Sequence, residues 1–249
     1  MANLATREFL NHLKSLYPQV ASATGSAVVL NNPWYIIAAV AFGSSNIPDA
    51  VPIVFTHALE DLKKVQTEHS VDKETAHKEQ LRLARRVREA VLKGGLLCGA
   101  SRAINSLIAL HAATPEDLCD TETIRDQNVT MEEYVQNGEK LFRAMYRDTA
   151  DNVQGLLDKM YPDMGWFSRV VGYGITYGST GDLLSQVEVS YILVAALISM
   201  DTPRQIAWHL ANAQHGGATL QEAQAIRQIT MEVAEKSGIR WKEAVPNVN

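Results

Sequence analysis

The stretch SQVEVSYILVAALISMDTPRQIAWHLANAQHGGATLQE, residues 185–222, decides the fold class. Ser185 followed by Glu188 has the form of a capping box, in which each side chain satisfies a free amide at a helix start. It predicts a helix carrying Tyr191, Ile192, Val194, Ala195 and Leu197. Thr202, Pro203 and Gln205 repeat the pattern, with proline at the first helical position, where its missing N–H costs nothing. That second helix runs to about Gln214 and is closed by Gly216 and Gly217. Thr219 and Glu222 open a third, which runs to about Lys236 and ends at Gly238, a residue type suited to the left-handed stop of a helix. Three successive helices, each with its own start and stop, predict an all-α architecture.

Outward from this stretch, strand signals are scarce. Apolar residues recur at helical spacing between Gly, Pro, Asp and Asn punctuation. Residues 4–16 form an amphipathic helix with Leu4, Phe9, Leu13 and Leu16 on one side, stopped by Pro18. Helices over 33–43, 50–69 and 73–93 follow, and Gly94-Gly95 is expected to break the last. A helix over Cys98 to His111 comes next, and Thr114, Pro115 and Asp117 read as the cap and first turn of another. Residues 118–138 read as a linker with a short helix, 139–160 as helical, and Pro162 to Gly181 as a connector rich in glycine and aromatic residues. The expected organisation is an N-terminal helical half (1–117), a linker with a connecting helix (118–180) and a C-terminal half (181–249), within one compact domain.

The bulk numbers exclude several classes. A chain of 249 residues is long enough to bury a core without disulfides or a structural metal. Its 46% hydrophobic and 20% charged residues are an ordinary globular balance. A net charge of −5 argues against nucleic acid or an anionic membrane surface as partner. The basic run from Lys78 to Lys93 is interleaved with Glu79 and Glu89 and reads as a solvated helix face. The apolar stretches Val28–Phe42 and Val187–Met200 are interrupted and fall short of the ~20 residues of a membrane span. Two cysteines, Cys98 and Cys119, and no signal-peptide pattern point to a reducing compartment, with the cytoplasm as the expected location. The final residues, Pro246 to Asn249, carry neither a peroxisomal tripeptide nor a lipidation box. Nucleotide-binding loops, the Gly-x-Ser-x-Gly elbow and metal-ligand spacings are missing from the sequence, so neither cofactor nor metal is expected.

In order, Ala195-Ala196-Leu197, Pro203, Trp208-His209-Leu210, Gly217-Ala218-Thr219 and Glu222 resemble the signature of the carboxymuconolactone decarboxylase-like (alkylhydroperoxidase D-like) superfamily. A second segment, Arg88 to Leu110, with Gly94, Gly95, Cys98, Arg102, Ala103-Ile104-Asn105 and Leu107, is similar to another part of the same signature. The resemblance implies an all-α bundle, here of two diverged copies of the helical unit, that assembles into homo-oligomers. It also implies one of two chemistries. One is decarboxylation of a carboxylated lactone without metal or cofactor. The other is peroxide or disulfide redox at a Cys-x-x-Cys pair. Fold alone does not choose between them.

His209 is the leading candidate residue. It stands near Ile206 and Ala213 on its helix, at the edge of the expected buried face. There it serves either as a proton carrier near neutral pH or as a core-edge histidine bonded to a carbonyl. Glu188 is either the acidic partner that the family resemblance implies or only the cap of its helix. Cys98 is expected to precede a helix, where a thiol becomes reactive, but Ser101 and Asn105 stand where the redox form of the family has cysteine and histidine. Arg102 reads as a grip for a substrate carboxylate or as a surface ion pair. Trp208 and His215 could line the same pocket, and the aromatic connector could wall it or meet another copy.

The expectation is therefore a cofactor-independent, decarboxylase-like enzyme for a small carboxylated metabolite. Catalysis falls to His209, with Glu188 and Arg102 in support. A thiol-dependent peroxide reductase using Cys98, and a non-catalytic oligomeric scaffold, are the competing expectations.

Overall fold

Two helices, Trp34–Ser44 (α3) and Gln186–Ser199 (α10), form the middle of the fold. Every residue of α3 is buried, as is every residue of α10 from Val189 onward. A helix that is apolar all round has no face to offer water and belongs at the centre of a bundle. The computed structural model describes residues 4–19 and 23–248; Asn249, the end of the C-terminal reading above, lies outside them. Helices make up the regular structure of the described residues, with no strand among them.

Around that centre stand Arg7–Leu16 (α1), the short Ala27–Leu30 (α2), Ala50–Glu68 (α4), Lys73–Cys98 (α5) and Ala100–Ala113 (α6). Later in the chain come Met131–Tyr146 (α7), Ala150–Met160 (α8), Pro162–Phe167 (α9), Pro203–His215 (α11) and Leu220–Lys236 (α12). α3 packs against α4, α5, α10 and α12, and α10 also packs against α5 and α11. Trp34, Tyr35, Phe42, Phe55 and Tyr191 are almost fully enclosed there, each burial contributing about 2–3 kcal/mol against leaving the side chain in water. The segment Ala27–Ser44 is long and apolar enough to cross a membrane, yet 78% of it is buried inside this fold and Asn31 to Pro33 interrupt it.

The Ser185/Glu188 and Thr219/Glu222 capping boxes are both formed. The Thr202 box is not. Pro203 is the first helical residue, but the Thr202 hydroxyl donates backward to Leu197 O at 3.2 Å. Thr114 likewise donates to Leu110 O at 2.7 Å and opens no helix; a single turn of 3-10 helix, Glu116–Leu118, follows.

Gly94 and Gly95 do not break α5, which runs on to Cys98. They are close-packing positions. A Cβ on Gly94 would stand 2.9 Å from Val40 Cγ1, and one on Gly95 2.5 Å from Ala103 Cβ. The chain turns instead at Gly99, whose φ of +100° is open to glycine and strained for other residues.

The stretch expected to be linker and connector is largely helical. α7 starts at Met131 behind a complete Thr130/Glu133 capping box. Beyond α9 the chain continues as a π-helix over Ser168–Tyr177, a rare form that is frequent at functional sites. It lies along α7. Gly138 and Gly174 make that approach possible, because a Cβ on either would collide with a backbone oxygen across the contact, Arg169 O or Tyr134 O.

Candidate functional site

His209 sits inside the bundle, not at its edge. It is 6% exposed, with Nε2 3.4 Å from the Tyr146 hydroxyl and Nδ1 3.4 Å from the Asn212 amide. Turned to satisfy its surroundings, that amide donates to Met145 O at 2.8 Å and Trp208 O at 3.1 Å, which leaves its oxygen toward His209. Tyr173 donates to Tyr146 at 3.2 Å, and the Trp208 ring meets Tyr146 edge to face. Burial pushes the imidazole down to about 4, so it is neutral at pH 7 and not poised near neutrality. His209 is not among the residues that line the cleft between α5 and α6.

Glu188 faces elsewhere. One oxygen completes the Ser185 cap at 2.9 and 3.0 Å. The other meets the guanidinium of Arg86, which is itself buried at 4% exposure and donates to Tyr35 Oη at 2.8 Å. Such a pair orients helices; removing one partner strands a buried charge.

The remaining candidates separate further. Cys98 precedes a helix as expected, two residues before the first residue of α6, but it is also the last residue of α5. Among the described residues Arg102 has no carboxylate partner. It donates to Ser44 O, a last-turn carbonyl of α3. His215 holds Met145 O at 2.7 Å. Trp208 and His215 thus share the Tyr146 end of the molecule with His209, and Cys98 lies within electrostatic reach of Tyr177, which packs on Tyr173 of the same cluster; Glu188 and Arg102 have their partners elsewhere.

A group absent from the expectations lies on α5. Glu89 is 3% exposed and Lys93, one turn on, fully enclosed; their charges are 3.1 Å apart. Arg125 adds contacts to both Glu89 oxygens, at 2.5 and 3.1 Å, and the Thr180 hydroxyl donates at 2.9 Å. Lys93 also donates to the carbonyls of Thr176, Tyr177 and Ser179, at 2.7, 2.9 and 3.0 Å. These are the terminal carbonyls of the π-helix and the residues after it. Burial acts to raise the Glu89 carboxyl, but Lys93 and Arg125 outweigh it and hold it below the usual carboxylate range. Burial pushes Lys93 down to about 8 against the pull of Glu89.

Above this network opens a cleft of about 320 Å³ between α5, α6 and the loop after Leu118. Arg85, Arg88, Glu89, Arg125 and His111 bring polar groups to it; Leu92, Leu107 and Ile124 form its apolar part. Arg85 and Arg88 together hold the Asp120 carboxylate, at 2.6 and 2.7 Å. His111 Nδ1 stands 3.8 Å from Cys119 Sγ. A few convergent polar groups over an apolar wall, beside a carboxyl held low by its cations and an ammonium pushed down by burial, are the usual marks of a small-molecule site. One signal for it was present in the sequence. Arg85, Arg88, Glu89 and Leu92 fall on one side of a helix, and a charged side that includes leucine is not merely solvated.

No family model matches the chain. It is similar to Peroxisomal protein 2 of Saccharomyces cerevisiae, 26% identical over 87% of this chain and 92% of that protein. It is also similar to Peroxisomal protein 2 of Schizosaccharomyces pombe, 25% identical over 84% of this chain and 88% of that protein.

Proposed function

We propose that this chain is a carboxymuconolactone decarboxylase-like protein that binds a small carboxylated metabolite in the α5–α6 cleft and moves a proton there without metal or cofactor. The observation that carries the reading is the Arg85–Arg88 pair, which already grips a carboxylate, that of Asp120. Asp120 is carried on a loop, and a substrate carboxylate of the same charge can replace it in the same fork geometry.

The chemistry that suits this wall is loss of carbon dioxide from an acid with a carbonyl one carbon removed. The bond to the carboxyl carbon breaks, its electron pair passes into the enolate, and His111 returns a proton to carbon. Leu92, Leu107 and Ile124 limit water around the reacting carbon, and the Arg125 guanidinium sets a positive potential beside it. His209, buried at 6% exposure, keeps a structural part in this reading. The names of the two relatives support a peroxisomal setting over the cytoplasm, a point that imaging of a fluorescent fusion beside a peroxisomal marker tests.

A second reading has one observation in its favour. The His111–Cys119 contact gives a thiol-dependent peroxide reaction a more plausible centre than Cys98. The two separate in one experiment. Wild type, His111→Gln and Cys119→Ser are assayed for carbon dioxide release from β-keto acids and carboxylated lactones, and for peroxide consumption with a dithiol reductant. Release lost in His111→Gln and kept in Cys119→Ser supports the decarboxylase reading; peroxide consumption lost in Cys119→Ser supports the thiol reading.

A further inference from the structure

A second, larger cleft of about 590 Å³ adjoins the first, sharing Arg85 and Ile124 with it. Its floor is the α5 face that carries Lys78, Arg82 and Arg85, and its opposite wall is Thr180, Gly181 and Asp182. The cations differ in their engagement. Lys78 is paired with Glu74 and Arg85 with Asp120. Arg82 has a carbonyl as its partner, Asp182 O at 3.2 Å, so its charge is uncompensated by any carboxylate contact among the described residues. The facing loop adds a second feature. Thr180 has a φ of +69°, a conformation rare for a β-branched residue that persists only where the surrounding structure holds it. Among the described residues no acceptor takes the amides of Thr180, Gly181 or Asp182. Successive free amides around a left-handed residue form a concavity that binds anions.

We infer that this cleft is a phosphate site, and that the metabolite acted on beside Glu89 carries a phosphate monoester or diphosphate at its far end. The inference rests on the carboxylate reading above and extends it. From Arg82 to Glu89 is about 10 Å along the helix axis, so one ligand of metabolite size spans both clefts, with its tetrahedral anion at Arg82 and its carboxylate at Arg88. A fork of guanidinium donors opposite backbone amides suits a phosphate. The cleft also has room for the organic part next to it.

The test is calorimetric titration of the full chain with inorganic pyrophosphate, at ionic strength held constant with sodium chloride. Wild type should bind saturably. Arg82→Gln should weaken binding at least tenfold, Lys78→Gln by a few fold, and Lys63→Gln, exposed on α4 and outside both clefts, should leave it unchanged. Arg82 and Lys78 are exposed, so these variants keep the fold, and matching melting curves confirm it. Equal affinity in Arg82→Gln and wild type overturns the phosphate site. Binding to vesicles of phosphatidylcholine with phosphatidic acid, without binding of free pyrophosphate, overturns the small-metabolite assignment. A carboxylate that binds through Arg88 while pyrophosphate does not bind leaves the proposed function standing and removes this extension alone.

Discussion

Lys93 and Glu89 stand one helical turn apart with 3.1 Å between their charges, Lys93 fully enclosed and Glu89 buried at the floor of the α5–α6 cleft. The pair ties α5 to the end of the π-helix, since Lys93 holds three carbonyls of residues 176–179 and Glu89 holds Thr180 and Arg125. Lys93→Met removes the ammonium and leaves a buried carboxylate short of a partner. The expected loss is about 3–5 kcal/mol in a urea titration. Lys93→Met with Glu89→Gln should cost clearly less than the sum of the two single changes, because the stranded charge goes with its partner. Strict additivity would mean that the two groups act independently.

His209 makes stability depend on pH. Its folded pKa, pushed by burial to about 4, lies below the 6.5 of a free imidazole. Between those values the unfolded chain binds more protons. Stability is therefore complete above about pH 6.5 and falls as the solution is acidified toward 4, by about 3 kcal/mol from this group. Denaturation curves at pH 7.5 and 4.5 should differ much less in His209→Gln than in wild type. An unaltered difference would place the acid sensitivity elsewhere.

Glu188 and Arg86 act on structure. Glu188→Ala removes both the helix cap and the partner of a buried guanidinium, with an expected loss of about 3–5 kcal/mol. Glu188→Gln, which can retain the cap bonds, should cost less. Carboxylate affinity at low temperature, where the variant stays folded, should match wild type; a selective loss of affinity would make Glu188 part of the site.

Gly95→Ala and Gly99→Ala separate two uses of glycine. The first forces a methyl against Ala103 and should cost about 1–3 kcal/mol by overpacking α5 on α6. The second meets open space but keeps a φ of +100°, so its cost, about 1 kcal/mol, is backbone strain. Thermal melts of the two variants should rank in that order.

The all-α fold was legible because two complete capping boxes and an apolar run from Val189 to Ser199 lie together in sequence. The starts of α10, α11 and α12 fell where the sequence put them, although Thr202 forms no capping box; Thr114 bonds Leu110 O and opens no helix, and the complete Thr130/Glu133 box of α7 was passed over. Gly94 and Gly95 misled because small residues serve close packing as readily as breaks, and only the position of Val40 and Ala103 distinguishes these. The π-helix was hidden for a related reason, its glycines being needed by α7 rather than by a turn. His209 was expected at the edge of the buried face, whereas it is enclosed at 6% exposure. The Glu89 network was missed because Arg125 and Thr180 reach it from 36 and 91 residues away along the chain, a pairing that local spacing does not reveal.

The most direct test of the account is titration of the carboxylate found by the turnover assay into wild type, Arg88→Gln and His209→Gln at pH 7.5, each variant checked for folding. The account predicts at least a tenfold loss of affinity in Arg88→Gln, about 1.4 kcal/mol or more, and wild-type affinity in His209→Gln. Unchanged binding in Arg88→Gln together with loss in His209→Gln would contradict it and return the site to the interior histidine.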